Sequence, residues 1–199
     1  MFAKPTRLAF LAALGAAMFS LTACNTPPDR QAFPDITFQH LPPINLDVAH
    51  IEIASDYRAA DVQNENSADY PETPEKLALD WARDRLKKVG SRGQATYTVV
   101  EARAVRVPLP RSSGINAALK TEQSDRYDLS ITVRLEAGNP LSGKSGTVTE
   151  TVTRSQTVPE NMTLNQREAV LFNMLDAAMK DLNARLEASI PQYLAPLVR

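Results

Sequence analysis

Apolar and polar residues alternate most regularly in the middle of the chain. In residues 127–137, YDLSITVRLEA, every second residue is apolar, which predicts a half-buried, antiparallel β-strand. Residues 146–158, GTVTETVTRSQTV, carry Thr or Val at most positions and lack a 3.6-residue period, so they predict the next strand. Two earlier stretches alternate less perfectly and predict two further strands: residues 44–55, with a bulge, and residues 95–109, with a fault in the alternation near Val100.

A first amphipathic helix is predicted after residue 72. Thr73 is a suitable N-cap, Pro74 suits the first helical position, and Gly90 predicts the end of the helix. Trp81 lies on the apolar stripe, so we interpret it as a core anchor rather than a ligand-stacking residue. We interpret the opposite side as a solvated face in preference to a site for anionic lipid headgroups. The charged residues of that face are Arg83, Asp84, Arg85, Lys87 and Lys88.

A second, longer helix has the most regular pattern in the chain. Thr163 and Gln166 form a capping-box pattern, and apolar residues at spacings of three and four continue to Ile190, just before Pro191. Three further residues widen the apolar face, which we interpret as core rather than as a lipid or cofactor groove. These residues are Phe172, Met174 and Met179.

The predicted elements follow one another as strand, helix, strand, strand, strand, helix. This order predicts an α+β fold, a four-stranded mixed or antiparallel sheet with the two helices packed on one face. We expect a single domain at residues 44–190. A Pro-rich, irregular tether at residues 24–43 would precede it, and a tail at residues 191–199 would follow it.

Residues 1–23 have the form of an export signal peptide. Lys4 and Arg7 precede an apolar run that is shorter than a membrane span, and small residues lead up to Cys24. The sequence Leu-Thr-Ala-Cys that ends at Cys24 resembles the lipobox of bacterial lipoproteins, which implies cleavage before this cysteine and its acylation. The other interpretation of Cys24 is a core cysteine. Because Asn25 follows it, the enterobacterial sorting pattern favours the periplasmic face of the outer membrane.

Charge and the few chemically distinctive residues narrow the classes of function. The signal peptide holds two of the 22 basic residues and none of the 23 acidic ones, so the remaining chain is slightly acidic and offers no basic field for nucleic acid. A single cysteine, Cys24, excludes a disulfide within the chain. His40 and His50 lie far from Cys24 and from each other, without metal-ligand spacing. We therefore expect no metal and no cofactor.

One motif raises the question of nucleotide binding. Residues 138–145, GNPLSGKS, match G-x-x-x-x-G-K-[ST], the pattern of the phosphate-binding P-loop. A P-loop requires a buried strand before it and a helix that begins at the Lys, because backbone N–H groups and the helix dipole bind the phosphates. Strands are predicted on both sides here. We therefore interpret the motif as a hairpin loop and expect Lys144 to be dispensable for folding and for ligand binding.

No arrangement of residues in the sequence indicates catalysis. The turn G-x-S-x-G is absent, and nothing brings Ser, His and Asp together. We expect a protein that is not an enzyme. The alternative from another class is an envelope hydrolase or nucleotide-binding protein built around Lys144 and Ser145.

The order of elements behind a lipobox resembles the lipoprotein partner of the outer-membrane lipopolysaccharide translocon. Local support comes from RYDLSITVRLEA at residues 126–137 and from TLNQREAVLFNMLDAAMKDLNARLEASI at residues 163–190, which are similar to a strand and the final helix of that family. The resemblance implies a non-catalytic, lipid-anchored binding or assembly partner in outer-membrane lipid transport, with a lipid as a candidate ligand. The chain is also similar to the auxiliary lipoproteins of lipid-transporting ABC systems.

The surface that binds a partner is predicted from the last strand. Residues 147–158 alternate Thr with Val, Glu and Arg, so neither face of the strand is strongly apolar. Such a strand is weakly held in a core and favours an edge position. An edge strand can accept a strand of another protein, and the loop at residues 110–125 is long enough to contact it. The alternative is an edge protected by charge beside a solvated loop. The candidate contact residues for an envelope protein, either a barrel or an ABC-system component, are Arg111, Ile115, Thr149 and Thr151.

Overall fold

The computed structural model describes residues 32–110, 123–141 and 143–199, and a sheet of four strands lies at their centre. Its strand order is β2-β4-β5-β6, with β2 parallel to β4 and the other neighbours antiparallel. The predicted α+β fold with a four-stranded mixed sheet is confirmed. The elements are β1 (Ile44–Leu46), β2 (His50–Ser55), α1 (Pro74–Arg85), β3 (Leu86–Lys88), β4 (Gln94–Pro108), β5 (Gln123–Asn139), β6 (Lys144–Pro159) and α2 (Leu164–Tyr193).

Both helices pack on the same face of this sheet. Tyr97, Leu135 and Val148 form one row of cross-strand neighbours, and all three side chains are buried. The hydroxyl of Tyr97 donates a 3.0 Å hydrogen bond to the carbonyl oxygen of Ala78 in α1, while α2 packs over β6. Directly opposed residues of antiparallel strands point to the same face, so α1 and α2 share it. No helix of the described residues packs on the other face of the sheet, which is called the open face below.

The stretch at residues 44–55 is two strands rather than one. β1 pairs in parallel with β3 in a small separate sheet, whereas β2 joins the main sheet. Between them the N–H of Val48 donates a 2.8 Å hydrogen bond to the carbonyl oxygen of Leu46, and Val48 is fully buried. The sequence predicted a bulge from the imperfect alternation of this stretch. The irregularity is instead the turn between β1 and β2. The fault in the alternation near Val100 coincides with a bulge, because the register of β4 shifts between Val99 and Glu101.

The first helix begins as predicted but ends earlier. The side chain of Thr73 accepts a hydrogen bond from the N–H of Lys76, with Pro74 at the first helical position. The end predicted at Gly90 is wrong, because the helix stops at Arg85 and the chain continues as β3. The pairing partner β1 lies far away in sequence. Glycine is needed at position 90 for another reason: a Cβ there would lie 2.5 Å from the backbone carbon of Asp47.

One residue of the predicted solvated face is buried. Arg85 is 2% exposed, and its Nη2 donates a 2.5 Å hydrogen bond to Oε1 of Glu187 in α2. The helical pattern placed this residue with its basic neighbours Arg83 and Lys87, which are exposed. Arg85 ends α1, where the chain turns into β3, and α2 covers this position.

The second helix starts at the predicted capping box. The side chain of Thr163 accepts from the N–H of Gln166, and the Gln166 side chain accepts from the N–H of Thr163. The end predicted at Ile190 is wrong, because the helix continues to Tyr193 with Pro191 inside it. Proline removes a donor and crowds the preceding turn, yet the helix continues past it, and the N–H of Leu194 donates to the carbonyl oxygen of Ile190 at 2.9 Å.

Residues 194–199 pack back onto the beginning of the domain. A 3-10 helix covers Ala195–Leu197, and Leu197 is 1% exposed. The carbonyl oxygen of Leu197 accepts a 2.7 Å hydrogen bond from the N–H of Asp47. Leu46 also forms an antiparallel bridge with Val198. Residues 194–199 are therefore part of the folded structure.

The core lies between the two helices and the covered face of the sheet. Trp81 is fully buried, and its ring lies 5.7 Å from that of Tyr97 in a stacked arrangement, which confirms its assignment as a core anchor. Burial raises the pKa of the Tyr97 hydroxyl. Met174 and Met179 are buried as predicted, and Phe172 is partly buried.

Candidate functional site

The GNPLSGKS motif is the tip of the β5–β6 hairpin. Gly138 pairs with Ser145 and Asn139 with Lys144, so the strand ladder continues into both ends of the motif. Gly143 adopts a φ of 67°, a left-handed conformation that suits glycine in a turn. Because Lys144 starts a strand instead of a helix, the motif presents neither the row of N–H groups nor the helix dipole of a P-loop. The predicted hairpin is confirmed.

A shallow groove of about 780 Å³ lies beside this hairpin on the sheet. One cross-strand row on the open face runs His50, Gln94, Gly138, Ser145, and the glycine leaves a gap in the middle of the row. The lining carries charges of both signs, from Lys144 and a carboxylate, and its other polar groups are hydroxyls, amides and an imidazole. The Nζ of Lys144 is exposed and lies 3.4 Å from the carbonyl oxygen of Pro196.

The rest of the open face is a regular polar array. Arg126 pairs with Asp128 at 2.9 Å, and these two residues lie two positions apart on one strand. The hydroxyls of Thr132 and Thr151 lie 2.9 Å apart across the β5–β6 ladder. Further ion pairs of the same kind join Arg103 to Glu101 and Arg134 to Glu136. The array neutralises its own charges and holds no cluster of one sign that would attract a charged ligand.

Strand β6 lies at the edge of the sheet, as its sequence predicted. Thr149 and Thr151 are exposed on the open face, while Val148 and Val152 of the covered face are buried. Within the described part of the chain, no backbone group outside β5 pairs with β6 between Lys144 and Val158. The structure therefore offers a long row of backbone donors and acceptors beside Thr149 and Thr151.

An ionic cluster around one buried carboxylate lies at the far end of the sheet from the hairpin. Asp125 is 4% exposed, and its Oδ2 accepts 2.9 Å hydrogen bonds from Nη2 of Arg106 and from Oγ of Ser124. The Arg106 guanidinium holds the pKa of the Asp125 carboxyl below its usual value of 3.8. Arg167 of α2 lies 3.8 Å from the same oxygen and donates to the Tyr127 hydroxyl. Because Asp125 is held ionised by neighbouring cations, the cluster stabilises the fold and lacks a free base for proton transfer.

A second groove, of about 660 Å³, lies between residues 34–41 and helix α2. Its walls include Ile36, Leu41 and Phe172, and Phe33 stacks on Phe172 with ring centroids 4.8 Å apart. The segment is held in place because Phe38 is buried. Asp84 of α1 also accepts hydrogen bonds from Thr37 and from the N–H of Phe38.

The described ranges hold no set of three His, Cys, Asp or Glu side chains placed to bind a metal ion. His40 lines the groove beside α2 and His50 the groove beside the hairpin, so the structure keeps the two histidines apart. Among the described helices, none is both long enough and apolar enough to cross a membrane.

Three of the residues singled out in the sequence lie outside the described residues. Cys24 precedes residue 32, and Arg111 and Ile115 fall between residues 110 and 123. The structure places Thr149 and Thr151 together on the open face of β6. Sequence reasoning missed the Asp125 cluster, because its members Arg106, Asp125 and Arg167 come from three elements and share no local pattern.

Comparison with known proteins gives weak similarities only. No family model matches the chain, and no curated protein matches it in sequence. Among solved structures, the rare lipoprotein B of Shewanella oneidensis is similar with a TM-score of 0.38 and 11% identity over 72% of this chain and 95% of that chain. A minor lipoprotein of Acinetobacter baumannii has a TM-score of 0.37 and 15% identity over 71% of this chain and 94% of that one. An uncharacterized lipoprotein B of Nitrosomonas europaea has a TM-score of 0.35 and 13% identity over 80% and 94%. These TM-scores are low, and the likeness carries no conclusion about the family or function of this chain.

Proposed function

We propose that this protein is a non-catalytic lipoprotein, anchored through Cys24 on the periplasmic face of the outer membrane, that binds a protein partner in lipid or lipopolysaccharide transport. The anchor is supported by the export signal and the Leu-Thr-Ala-Cys sequence. Several acyl chains hold a protein stably on a membrane, whereas one chain alone is marginal. Residues 25–31, the part of the predicted 24–43 tether that precedes the described residues, are rich in Pro and polar side chains.

The observation that carries the binding role is the edge strand β6. Its open-face side chains, including Thr149 and Thr151, are exposed, and its outer backbone groups pair with nothing in the described part of the chain. Such an edge binds another strand through main-chain hydrogen bonds. The candidate residues Arg111 and Ile115, in the loop between β4 and β5, would add side-chain contacts.

The proposal of a non-catalytic protein is supported by the state of the charged groups. The best-buried carboxylate, Asp125, is engaged by Arg106 and Ser124, and the P-loop-like motif lacks the helix that phosphate binding requires. Nucleotide hydrolysis around Lys144 and Ser145 is therefore the less favoured function.

Two measurements test the proposal. Mass spectrometry of the mature N-terminus, on protein purified from its native membrane, should find Cys24 as an acylated first residue, and an unmodified Cys24 would contradict the anchor. Cys24→Ser should leave the domain folded and release it from the membrane or block its processing, because Phe33, the first residue seen to pack on the domain, follows Cys24 in the chain.

Photocrosslinking identifies the partner. A photoreactive residue at Ile115 should crosslink to an outer-membrane barrel if the chain acts with a translocon, and to an ABC-system component if it acts with an inner-membrane transporter. A natively expressed protein that crosslinks to neither would remove this loop from the binding surface.

A further inference from the structure

The two edges of the main sheet are unequally covered. At one edge β2 is short, and residues 56–66 continue along β4 beyond it, through the hydrogen bond from the N–H of Asn66 to the carbonyl oxygen of Ala104 and the bridge between Glu65 and Val105. At the other edge β6 pairs with β5 in unbroken register from Lys144 to Val158. In the ranges that the structure describes, no backbone group hydrogen-bonds with its outer side, although α2 packs over its covered face.

Of the features with which proteins usually block an exposed edge, strand β6 carries only a pair of inward-pointing charges. A charged side chain, a proline or a bulge in the middle of an edge strand discourages pairing with another chain. Pro159 stands only at the end of β6, and the register is regular before it. The charged residues in the middle, Glu150 and Arg154, lie on the covered face and interact with Ser189 and Asp181 of α2.

The sequence of β6 is complementary to itself when two copies run antiparallel. If Val152 lies opposite Val152 of a second copy, Glu150 lies opposite Arg154 of that copy, and Arg154 opposite Glu150. Opposite charges directly across two strands are stabilising. The Arg154 side chain remains 39% exposed beside Asp181, so it can accept a second carboxylate. A slip by two residues in either direction places each charge opposite a residue of no charge.

The open face is equally complementary in this register. Thr151 lies opposite Thr153, Thr149 opposite Ser155, and Thr147 opposite Thr157 of the second copy. Every open-face position from 147 to 157 thus faces another hydroxyl. The 2.9 Å contact between Thr132 and Thr151 shows the same pair within one copy.

We infer that two copies of this chain pair antiparallel through β6 about a two-fold axis at Val152, which joins their sheets into one of eight strands. The inference rests on the binding role proposed for β6 and names a second copy as the occupant of that edge. In a symmetric pair of this kind, the same backbone N–H and C=O groups of β6 form hydrogen bonds on both partners. If the chain is anchored through Cys24, the membrane raises the local concentration of copies and favours the pair.

Disulfide formation in the full chain tests the register. Chains with Thr149→Cys and chains with Ser155→Cys, mixed and oxidised, should form a covalent dimer, because the two positions lie directly opposite with Cβ atoms about 4.5–5.5 Å apart. Each variant oxidised alone should not crosslink through β6, because each position then lies far from its own symmetry mate. Thr149→Cys mixed with Thr151→Cys is the matched control, and the unaltered chain reports any crosslinking through Cys24. Equal crosslinking in the control and test mixtures, or none in either, would overturn the register.

Charge reversal tests the pair independently. Glu150→Arg and Arg154→Glu should each weaken self-association by about tenfold in sedimentation velocity, because like charges then face each other twice per dimer. A mixture of the two variants should recover association, since opposite charges meet again across the interface. The recovery separates an interface from a folding defect, because neither chain in the mixture regains its own contacts with α2. No recovery, with both variants folded by circular dichroism, would overturn the inference.

A photocrosslinker at Thr151 separates this inference from the proposed function. A crosslink to a second copy supports the pair. Crosslinks to a different envelope protein alone would overturn the pair and leave the proposed function standing. An unmodified Cys24 in the N-terminal mass-spectrometry experiment would contradict the proposed function while leaving pairing in detergent unchanged.

Discussion

The indole Nε1 of Trp81 donates a 2.9 Å hydrogen bond to the side-chain oxygen of Asn183, and the bond joins α1 to α2 inside the core. Both residues are buried, so removal of one partner leaves the other without a hydrogen bond. We expect Asn183→Ala to lower the free energy of unfolding by about 1–3 kcal/mol. In urea titrations, the double variant with Trp81→Phe should lose less than the sum of the two single losses. If the two single losses of unfolding free energy instead add up in full in the double variant, the hydrogen bond contributes nothing beyond packing.

The ion pair of Arg85 and Glu187 is asymmetric in its burial, which predicts asymmetric effects of mutation. Arg85 is buried, and its Nε and Nη1 have no hydrogen-bond partner among the residues that the structure describes, whereas the Glu187 side chain is 43% exposed. Glu187→Ala should cost about 1–3 kcal/mol, because a buried cation loses its partner. Arg85→Met should be close to neutral or stabilising. Thermal unfolding measures both, with the exposed Arg83→Met as a control that should change little.

Acid should destabilise the domain through Asp125. The pKa of this carboxyl is lowered in the folded state by its hydrogen bond from Arg106, so the unfolded chain takes up the proton at higher pH than the folded one. The stabilisation is therefore fully present above the usual pKa of 3.8 and is lost as the pH falls from that value through the lowered pKa. Burial opposes ionisation of Asp128, but hydrogen bonds from Ser155 and Arg126 outweigh it and lower its pKa, so this carboxyl contributes in the same direction.

Urea unfolding at a series of pH values checks this expectation. Asp125→Asn keeps an acceptor for Arg106 but cannot titrate, so its stability should depend less steeply on pH below about 4 than that of the parent. An unchanged slope would assign the acid sensitivity to other carboxylates such as Asp128.

Two glycines near the hairpin should respond differently to the same substitution. A Cβ at Gly146 would lie 2.6 Å from the carbonyl oxygen of Tyr193, so Gly146→Ala forces the end of α2 away from the sheet. We expect a loss of about 1–3 kcal/mol in thermal unfolding. At Gly138 the nearest atoms lie 3.6 Å away, an ordinary contact, so Gly138→Ala is the matched control with a change within about 0.5 kcal/mol. Equal losses would disprove the packing argument.

The hairpin geometry predicts that the P-loop-like motif does not bind nucleotides. Titration calorimetry with ATP or GTP and magnesium should give no heat of binding, and Lys144→Ala should change the free energy of unfolding by less than about 0.5 kcal/mol, because Lys144 is exposed. A micromolar affinity that is lost in Lys144→Ala would contradict the hairpin interpretation of function.

The sequence predicted those parts of the fold that depend on neighbours along the chain. The capping box of Thr163 and Gln166 is a local device, so its pattern and its hydrogen bonds coincide. The same holds for the alternation of β5 and for the strand that begins at Lys144, whose Thr and Val pattern by itself argues against a P-loop. The sequence also predicts the edge position of β6, because threonine side chains do not have to be buried in a core.

The features that the sequence did not predict depend on partners far along the chain. The end of α1 at Arg85 is set by the pairing of β3 with β1, some 40 positions earlier in sequence. The burial of Arg85 depends on Glu187, which lies 102 positions away. The polar array of the open face requires the strand registers, and the complementarity of β6 with a second copy becomes visible only once β6 is known to have a free side.

The hydrogen bonds between residues 45–47 and residues 197–199 bear on the order in which the domain folds. The N–H of Arg199 donates to the carbonyl oxygen of Asn45, and the N–H of Asp47 donates to the carbonyl oxygen of Leu197, so the contact closes a loop of about 150 residues. Contacts of such sequence separation form slowly, because the entropy of loop closure is lost before the contact is gained. Strand β1 can therefore pair with β3 before residues 197–199 are synthesised, but its bonds to residues 197–199 are gained only after the rest of the domain, including both helices, has left the ribosome.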